Sequence, residues 1–255
     1  RAELWSQRGL DASPEFPDVW VARAEVLLKQ GKSQPAMTAL NSATERHPTD
    51  PDLWFRKGQL LQNHRAWGEA VDAFSKAMDL SPIRNRSPYR RAATELQKTV
   101  FEWKPRAEAT ALWLSVLQIP VRDASTPERC LDLSSHFNSS FRESWLNRAA
   151  PGNNLKTLPT GLQVFRGIKF DVRGLIQVAS KSTVTLEPGF PDAMGGVDVG
   201  KKCRRLHFLH AAGFAYQPKD GQYTGYGRRI ASYVVRYADG REQEIPIVSG
   251  VNIDE

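Results

Sequence analysis

Two histidines three residues apart, His207 and His210, come nearest in type and spacing to a metal site. On a helix this spacing would place both imidazoles on one face, whereas on a strand it sends them to opposite faces. Apolar side chains alternate over residues 206–211, which predicts a strand. We therefore expect structural roles for both histidines and no metal site.

Other reactive residues lack the spacing that catalysis needs. The sequence has no Ser-His-Asp order with an elbow motif, no phosphate loop and no paired catalytic carboxylates, so we predict no catalytic residue and no cofactor. Asp171 and Arg173 would share a strand face and form a surface ion pair. The two cysteines, Cys130 and Cys203, have no zinc spacing, and they are either free thiols or one bridge.

The basic residues exceed the acidic ones, and the formal net charge is +7. Two dense basic runs are either solvated faces or sites for an anionic ligand: Arg84, Arg86, Arg90 and Arg91, and Lys201, Lys202, Arg204 and Arg205. Neither run is interleaved with aromatic residues, so nucleic acid is not a predicted partner. No run of about 18 apolar residues exists, so we predict no membrane span.

The chain opens at Arg1 with neither a Met nor a signal peptide, and residues 1–14 read as the middle of a helix. We expect the chain to be a fragment of a longer protein. Its compartment is therefore not predicted, because cytoplasm and cell envelope both fit the composition.

The first half contains a repeat of 34 residues. Residues 18–48 and 52–82 match in class at this single offset, with a Trp, small residues and a Pro at corresponding places: Trp20, Ala24, Ala36 and Pro48, then Trp54, Gly58, Ala70 and Pro82. Small residues let two helices approach closely, and a Pro ends a helix before the next unit. Since a large interhelical side chain would be lost, we expect Trp54→Ala to cost about 3–5 kcal/mol.

On these residues, the segment 1–118 resembles the tetratricopeptide repeat (TPR) family, an α-helical solenoid. The resemblance implies a partial unit at 1–14, full units at 17–50 and 51–84, and divergent capping helices at 85–118. In this family the concave face of the first helices binds peptides or partner proteins. The corresponding residues are Val21, Glu25, Lys29, Phe55, Gln59 and Asn63. That face either binds an external peptide or packs within the parent protein.

The second half changes character after a Pro- and Ser-containing linker at 119–127. Short alternating segments predict strands at 130–133, 164–166, 168–171, 175–179, 183–186 and 206–211. Two more are predicted at 230–237 and 244–248, joined into a hairpin by the turn at 238–241, which contains Asp239-Gly240. Many short strands with Gly and Pro between them are typical of an antiparallel β-sandwich.

The blocks "LPTGLQVFRGIKFDVRG" and "YADGREQEIPI" resemble bacterial galactose-binding-like β-sandwiches, jelly rolls of the type found beside glycosidases. The resemblance covers 128–255 and implies carbohydrate or another ligand at the loops. Structural calcium is frequent in that fold, but no acidic run has calcium-loop spacing. Candidate ligand residues are Tyr216, Lys219, Asp220, Tyr223, Tyr226 and Arg228, with Asn138, Trp145 and Asn147 as a second set.

Together these patterns predict a multidomain α and β protein, in which a TPR solenoid precedes a β-sandwich. The predicted function is that of a non-catalytic interaction protein that contacts other proteins. Two alternatives stay open at this point. One is a carbohydrate-binding accessory module of a polysaccharide-degrading enzyme, and the other is the C-terminal sensor region of a bacterial Ser/Thr kinase.

Overall fold

The computed structural model describes residues 2–81, 87–143, 154–179, 190–212, 217–219, 222–224 and 226–253. The side chains of 87, 88, 217–219 and 222–224 lie outside the description, as does Pro82. The chain divides into two compact units, Arg1–Val199 and Gly200–Glu255, and each is described by itself.

The first unit begins with a run of α-helices. In its described part they are α1 (Ala2–Ala12), α2 (Pro17–Lys29), α3 (Ser33–Arg46), α4 (Pro51–Asn63), α5 (Trp67–Leu80), α6 (Ser87–Trp103) and α7 (Arg106–Val116). Prolines start α2 and α4, where the missing N–H costs nothing. The Asp50 carboxylate caps α4 by accepting hydrogen bonds from the backbone N–H groups of Asp52 and Leu53, at 2.9 and 3.1 Å.

Each helix packs against the next one along the chain, and α2, α4 and α6 also contact one another in order. The described helices therefore stack as a solenoid, with α2, α4 and α6 forming one layer. The α2–α3 and α4–α5 turns are equivalent, because Gly31 and Arg65 both have positive φ, 74° and 58°. Only Gly adopts this conformation without steric cost, so the repeat tolerates a strained Arg at the second turn.

Small residues at the repeat positions lie at the helix contacts. Ala24, Ala36 and Ala70 are fully buried, and a Cβ on Gly58 would lie 2.6 Å from the Phe74 ring. The two tryptophans are half-buried, and each indole N–H donates to the carbonyl of the Pro six residues earlier. Trp20 bonds Pro14 at 2.7 Å, and Trp54 bonds Pro48 at 3.1 Å. The same residues thus make the same contacts in both units.

The end of the solenoid is covered by the chain that follows it. Ile119 and Phe137 lie in one apolar core with Trp113 of α7, and the Trp113 indole donates to the Phe137 carbonyl at 2.7 Å. A short 3₁₀ helix at Ser134–His136 leads into this contact. Residues 119–143 therefore take part in the core of the helical unit.

Beyond this segment the first unit contains one hairpin. Strands β1 (Gly161–Phe165) and β2 (Ile168–Val172) pair antiparallel around the positive-φ turn Arg166–Gly167, and they confirm the extended segments predicted there. Leu175 makes a single bridge with Ser139, while 130–133 forms no strand. The predicted strand at 183–186 lies outside the described residues.

The second unit contains two further hairpins. Strand β3 (Gln217–Lys219) pairs with β4 (Gln222–Thr224), and β5 (Arg229–Arg236) pairs with β6 (Glu242–Val248) around Asp239-Gly240, which confirms the predicted turn. The strand predicted at 206–211 is wrong, because no described residue there pairs with another strand. Two side chains of this segment instead contact one residue of β5: Phe208 stacks on Tyr233, with ring centroids 3.9 Å apart, and His210 contacts the Tyr233 hydroxyl at 2.9 Å.

The described strands thus lie in three separate two-stranded sheets. Strand pairing among the described residues goes no further than these hairpins, so the expected β-sandwich stays a prediction. The local strand signals are correct at both longer hairpins, but alternation reports only which side chains are covered. It does not report which strands pair into a sheet or which sheets pack face to face, and a sandwich requires both.

Candidate functional site: a groove between α2 and α4

One pocket lies on the layer of α2, α4 and α6, with a volume of about 200 Å³. Four of the six residues expected on the concave face line it. The complete lining is Val21, Glu25, Arg56, Gln59, Leu60, Gln62 and Asn63. Lys29 and Phe55 are not among them. We call this pocket the α2–α4 groove.

The base of the groove is apolar. Val21 is 4% exposed and packs with Leu53 and Ala43, while Leu60 is partly buried against them. Phe55 lies deeper, against Phe74 at a centroid distance of 5.8 Å, and the Arg91 guanidinium covers its other side at 4.9 Å. Phe55 is therefore part of the core and not an open contact residue.

The rim of the groove is polar. Glu25, Gln59 and Asn63 are exposed, and Gln62 is half-buried because its amide donates to the Thr99 hydroxyl of α6 at 2.9 Å. A side-chain amide offers both donors and an acceptor, which are the groups that a peptide backbone needs from a partner. An apolar base with a rim of amides suits an extended peptide segment.

Two exposed ion pairs join the helices of this layer. Arg56 of α4 pairs with Asp18 of α2, and Arg91 of α6 pairs with Asp52 of α4 at 2.6 Å. Both acidic residues occupy the same place in successive units. Exposed pairs of this kind contribute little stability, but Asp18 offsets the charge of Arg56, which lines the groove.

A lysine behind the groove is enclosed between α3 and α4. The Lys57 ammonium donates to the Asn41 side chain at 2.8 Å and lies 4.8 Å from the centre of a Trp54 ring. Burial lowers the pKa of Lys57 below its ordinary value, and nearby Glu45 opposes this effect. Lys57 faces away from the groove lining and fixes α4 to α3.

On α6, the first helix of the third unit, the corresponding face is buried. Tyr89 and Ala93 lie 34 residues after Phe55 and Gln59, and both are buried. The Tyr89 hydroxyl donates to Glu143 at 2.8 Å, and Arg90 donates to the Asn138 carbonyl at 2.9 Å. The chain's own residues 138–143 thus cover at α6 the face that the groove leaves open at α2 and α4.

Sequence reasoning missed Glu143 as a structural residue and gave Asn138 a ligand role. Asn138 is 3% exposed, and its amide bonds the backbone of Gln177 in both directions, at 2.8 Å each. No local pattern marks either residue, since both partners are distant in sequence. Trp145 and Asn147, the rest of that second set, lie outside the described residues.

The predicted sandwich loop is described at only two side chains. Tyr226 is 73% exposed and Arg228 is exposed as well. Lys219 and Tyr223 are described only as backbone in β3 and β4, and Tyr216 and Asp220 lie outside the described residues. The ligand site at these loops therefore stays a prediction.

The remaining reactive residues have structural surroundings. The Asp171–Arg173 pair forms at 3.0 Å, but both side chains are buried and Arg122 joins them, so it is not a surface pair. His210 contacts the Tyr233 hydroxyl at 2.9 Å and the Asn252 carbonyl at 3.0 Å. Among the described residues, no three His, Cys, Asp or Glu side chains are placed to hold a metal ion.

The cysteines and the residues of the basic runs differ in their exposure. Cys130 of the first unit is buried, Cys203 of the second unit is exposed, and each is a free thiol in the structure. Residues 201–205 are exposed, whereas Arg84 and Arg86 lie outside the described residues and Arg90 is buried. A search of the described helices finds none with the length and apolar character needed to cross a membrane.

Comparison with known proteins agrees with the helical geometry. Residues 17–60 match the model of the tetratricopeptide repeat family. A stretch of 57 residues is 39% identical to mouse (Mus musculus) tetratricopeptide repeat protein 16, covering 22% of this chain and 7% of that protein. The chain thus spans only a small share of that relative's length. The helical region is therefore TPR-like, and TPR repeats are typically protein-interaction scaffolds without catalytic residues.

Proposed function

We propose that the chain is a non-catalytic protein-interaction scaffold and that its α2–α4 groove binds an extended peptide segment of a partner protein. The observation that carries the proposal is the contrast between units. The third unit's face is filled by the chain's own residues 138–143, whereas the groove keeps an apolar base and exposed amides. The other role considered for this face is packing within the parent protein, and at α6 the chain's own residues 138–143 already pack there.

The groove chemistry also supports a peptide over a small molecule. Gln59 and Asn63 lie one helical turn apart on α4, so their amides are spaced along the groove and not gathered at one point. An extended backbone presents its N–H and C=O groups in such a row. The β-sandwich across 128–255 and a sensor role remain predictions outside this proposal.

A random 12-residue peptide library displayed on phage tests the proposal, with the whole chain as bait. The variant Gln59→Trp fills the groove, and Gln34→Trp makes the same change at an exposed site on α3. Peptides that bind the wild type and Gln34→Trp, but not Gln59→Trp, are the expected result. Peptides that bind all three equally, or a library without binders, would overturn the groove as the binding site.

A further inference from the structure

Glu25 is the one carboxylate in the lining of the α2–α4 groove. Its side chain is exposed, and within the described residues it makes neither a hydrogen bond nor an ion pair. Lys29 follows one turn later on α2, but it does not line the groove, and no described ion pair joins it to Glu25. The negative charge of Glu25 therefore faces the groove without an internal counterion.

The lining of the groove holds two ionic groups, Glu25 and Arg56. Arg56 lines it too, but Asp18 already pairs with its guanidinium, and Arg91 is likewise held by Asp52. The side chains of Gln59, Gln62 and Asn63 are neutral, and each amide can donate and accept hydrogen bonds. Within the lining of the groove, Glu25 is thus the ionic group left to pair with an occupant.

We infer that Glu25 makes the groove selective for a peptide segment carrying a Lys or Arg side chain. This inference rests on the proposed function. A cation reaching over the apolar base would bring an ammonium or guanidinium to the carboxylate, where the hydrogen bonds are charge-assisted and, for Arg, bidentate. A segment carrying Asp or Glu at the same place would meet like charge and be rejected.

The size of the effect follows from exposure. Glu25 is open to water, so its pair with a ligand cation belongs with exposed ion pairs, and we expect about a fivefold contribution to affinity. This contribution to affinity should shrink as the salt concentration increases from about 0.05 to 0.5 M, because added ions shorten the distance over which exposed charges attract each other.

The test uses the groove-dependent peptides, defined as those that Gln59→Trp fails to bind. They should be enriched in Lys and Arg on the wild type. Glu25→Gln should lose this enrichment and bind the best cationic peptide about fivefold more weakly, and Glu25→Lys should select Asp and Glu instead. Glu102→Gln removes an exposed carboxylate of α6 outside the groove, and it should behave as the wild type.

The outcomes separate the two proposals. Groove-dependent peptides without Lys or Arg enrichment, or with unchanged affinity for Glu25→Gln, would overturn the charge selectivity and leave groove binding standing. A library with no groove-dependent peptide would overturn both.

Discussion

Arg90 and Glu143 form an ion pair in the interior of the helical unit, with 3.6 Å between a guanidinium nitrogen and a carboxylate oxygen. Their side chains are 3% and 0% exposed. The Tyr89 and Ser139 hydroxyls donate to the same carboxylate at 2.8 and 2.6 Å, and the Phe190 ring lies 3.9 Å from the guanidinium. This cluster joins the last repeat to the segment that covers it.

Removing the negative charge of Glu143 should destabilise the helical unit strongly. Glu143→Gln removes the carboxylate from a buried ion pair with Arg90, and breaking a buried pair in this way typically costs about 3–5 kcal/mol. The free energy of unfolding can be measured with urea and tryptophan fluorescence, which reports on the first unit alone because residues 200–255 contain no Trp.

Two variants keep this prediction testable if Glu143→Gln does not fold. Tyr89→Phe removes one hydroxyl from the cluster and should cost about 1–3 kcal/mol. Arg142→Gln alters the exposed neighbour and should stay within about 0.5 kcal/mol of the wild type. Wild-type stability of Glu143→Gln would mean that residues 138–143 do not cover α6.

The contact between Gly58 and Phe74 predicts a steric cost for one added methyl group. A Cβ at Gly58 would lie 2.6 Å from the Phe74 ring, so Gly58→Ala should destabilise the unit by about 1–3 kcal/mol. At Gly68 of α5 the nearest atom to such a Cβ is 3.7 Å away, so Gly68→Ala should be neutral or gain up to about 1 kcal/mol from helix propensity. Urea unfolding of both variants checks the difference.

The preceding unit shows how the clash is relieved. Ala24 and Leu40 occupy the places of Gly58 and Phe74 34 residues earlier, and both are fully buried. The double variant Gly58→Ala/Phe74→Leu should therefore be more stable than the sum of its single changes predicts, by about 0.5–3 kcal/mol. Simple additivity would show that the two positions are not partners in the packing.

The parts of the fold that could be predicted are those set by neighbours in sequence. Trp20 and Trp54 repeat their contacts because each lies in a helical hairpin whose spacing fixes both partners. The hairpin at Asp239-Gly240 is equally local, since the turn itself determines which residues pair. The residues of the candidate groove could be predicted for the same reason, because Glu25 and Gln59 occupy the same position in successive repeats.

The parts that could not be predicted depend on distant partners. Glu143 reaches α6 across more than 50 residues, and its sequence surroundings carry no sign of a buried acid. Phe208 and His210 both contact Tyr233, 25 and 23 residues further along the chain, and the alternation of their own segment does not indicate that partner. The separate hairpins have the same cause, since strand signals do not specify which sheets assemble.

Because Trp54 is half-buried, we expect its contribution to the free energy of unfolding to lie at the lower end of the range of about 3–5 kcal/mol predicted from sequence. Trp54→Ala should cost about 3 kcal/mol, since part of the ring is already exposed. Trp54→Phe should cost about 1 kcal/mol through loss of the indole bond to Pro48. Trp5→Ala is the matched control, because Trp5 is 66% exposed on α1 and should change stability by less than about 0.5 kcal/mol. Equal effects of the two Trp→Ala changes would contradict the repeat register.

The enclosed ammonium of Lys57 predicts a specific dependence of stability on pH. Burial lowers its pKa in the folded chain below the ordinary value of 10.5, so the folded chain releases this proton first as pH rises. Between the two pKa values the unfolded chain binds more protons, and the free energy of unfolding therefore increases with pH.

Lys57→Met keeps a similar volume and removes this group, so the difference in stability between wild type and variant should shift in favour of the wild type across that window. Urea unfolding of both proteins from pH 7 to 11 measures the difference, in which the other titrating groups cancel. Parallel pH profiles would mean that Lys57 is solvated and not enclosed between α3 and α4.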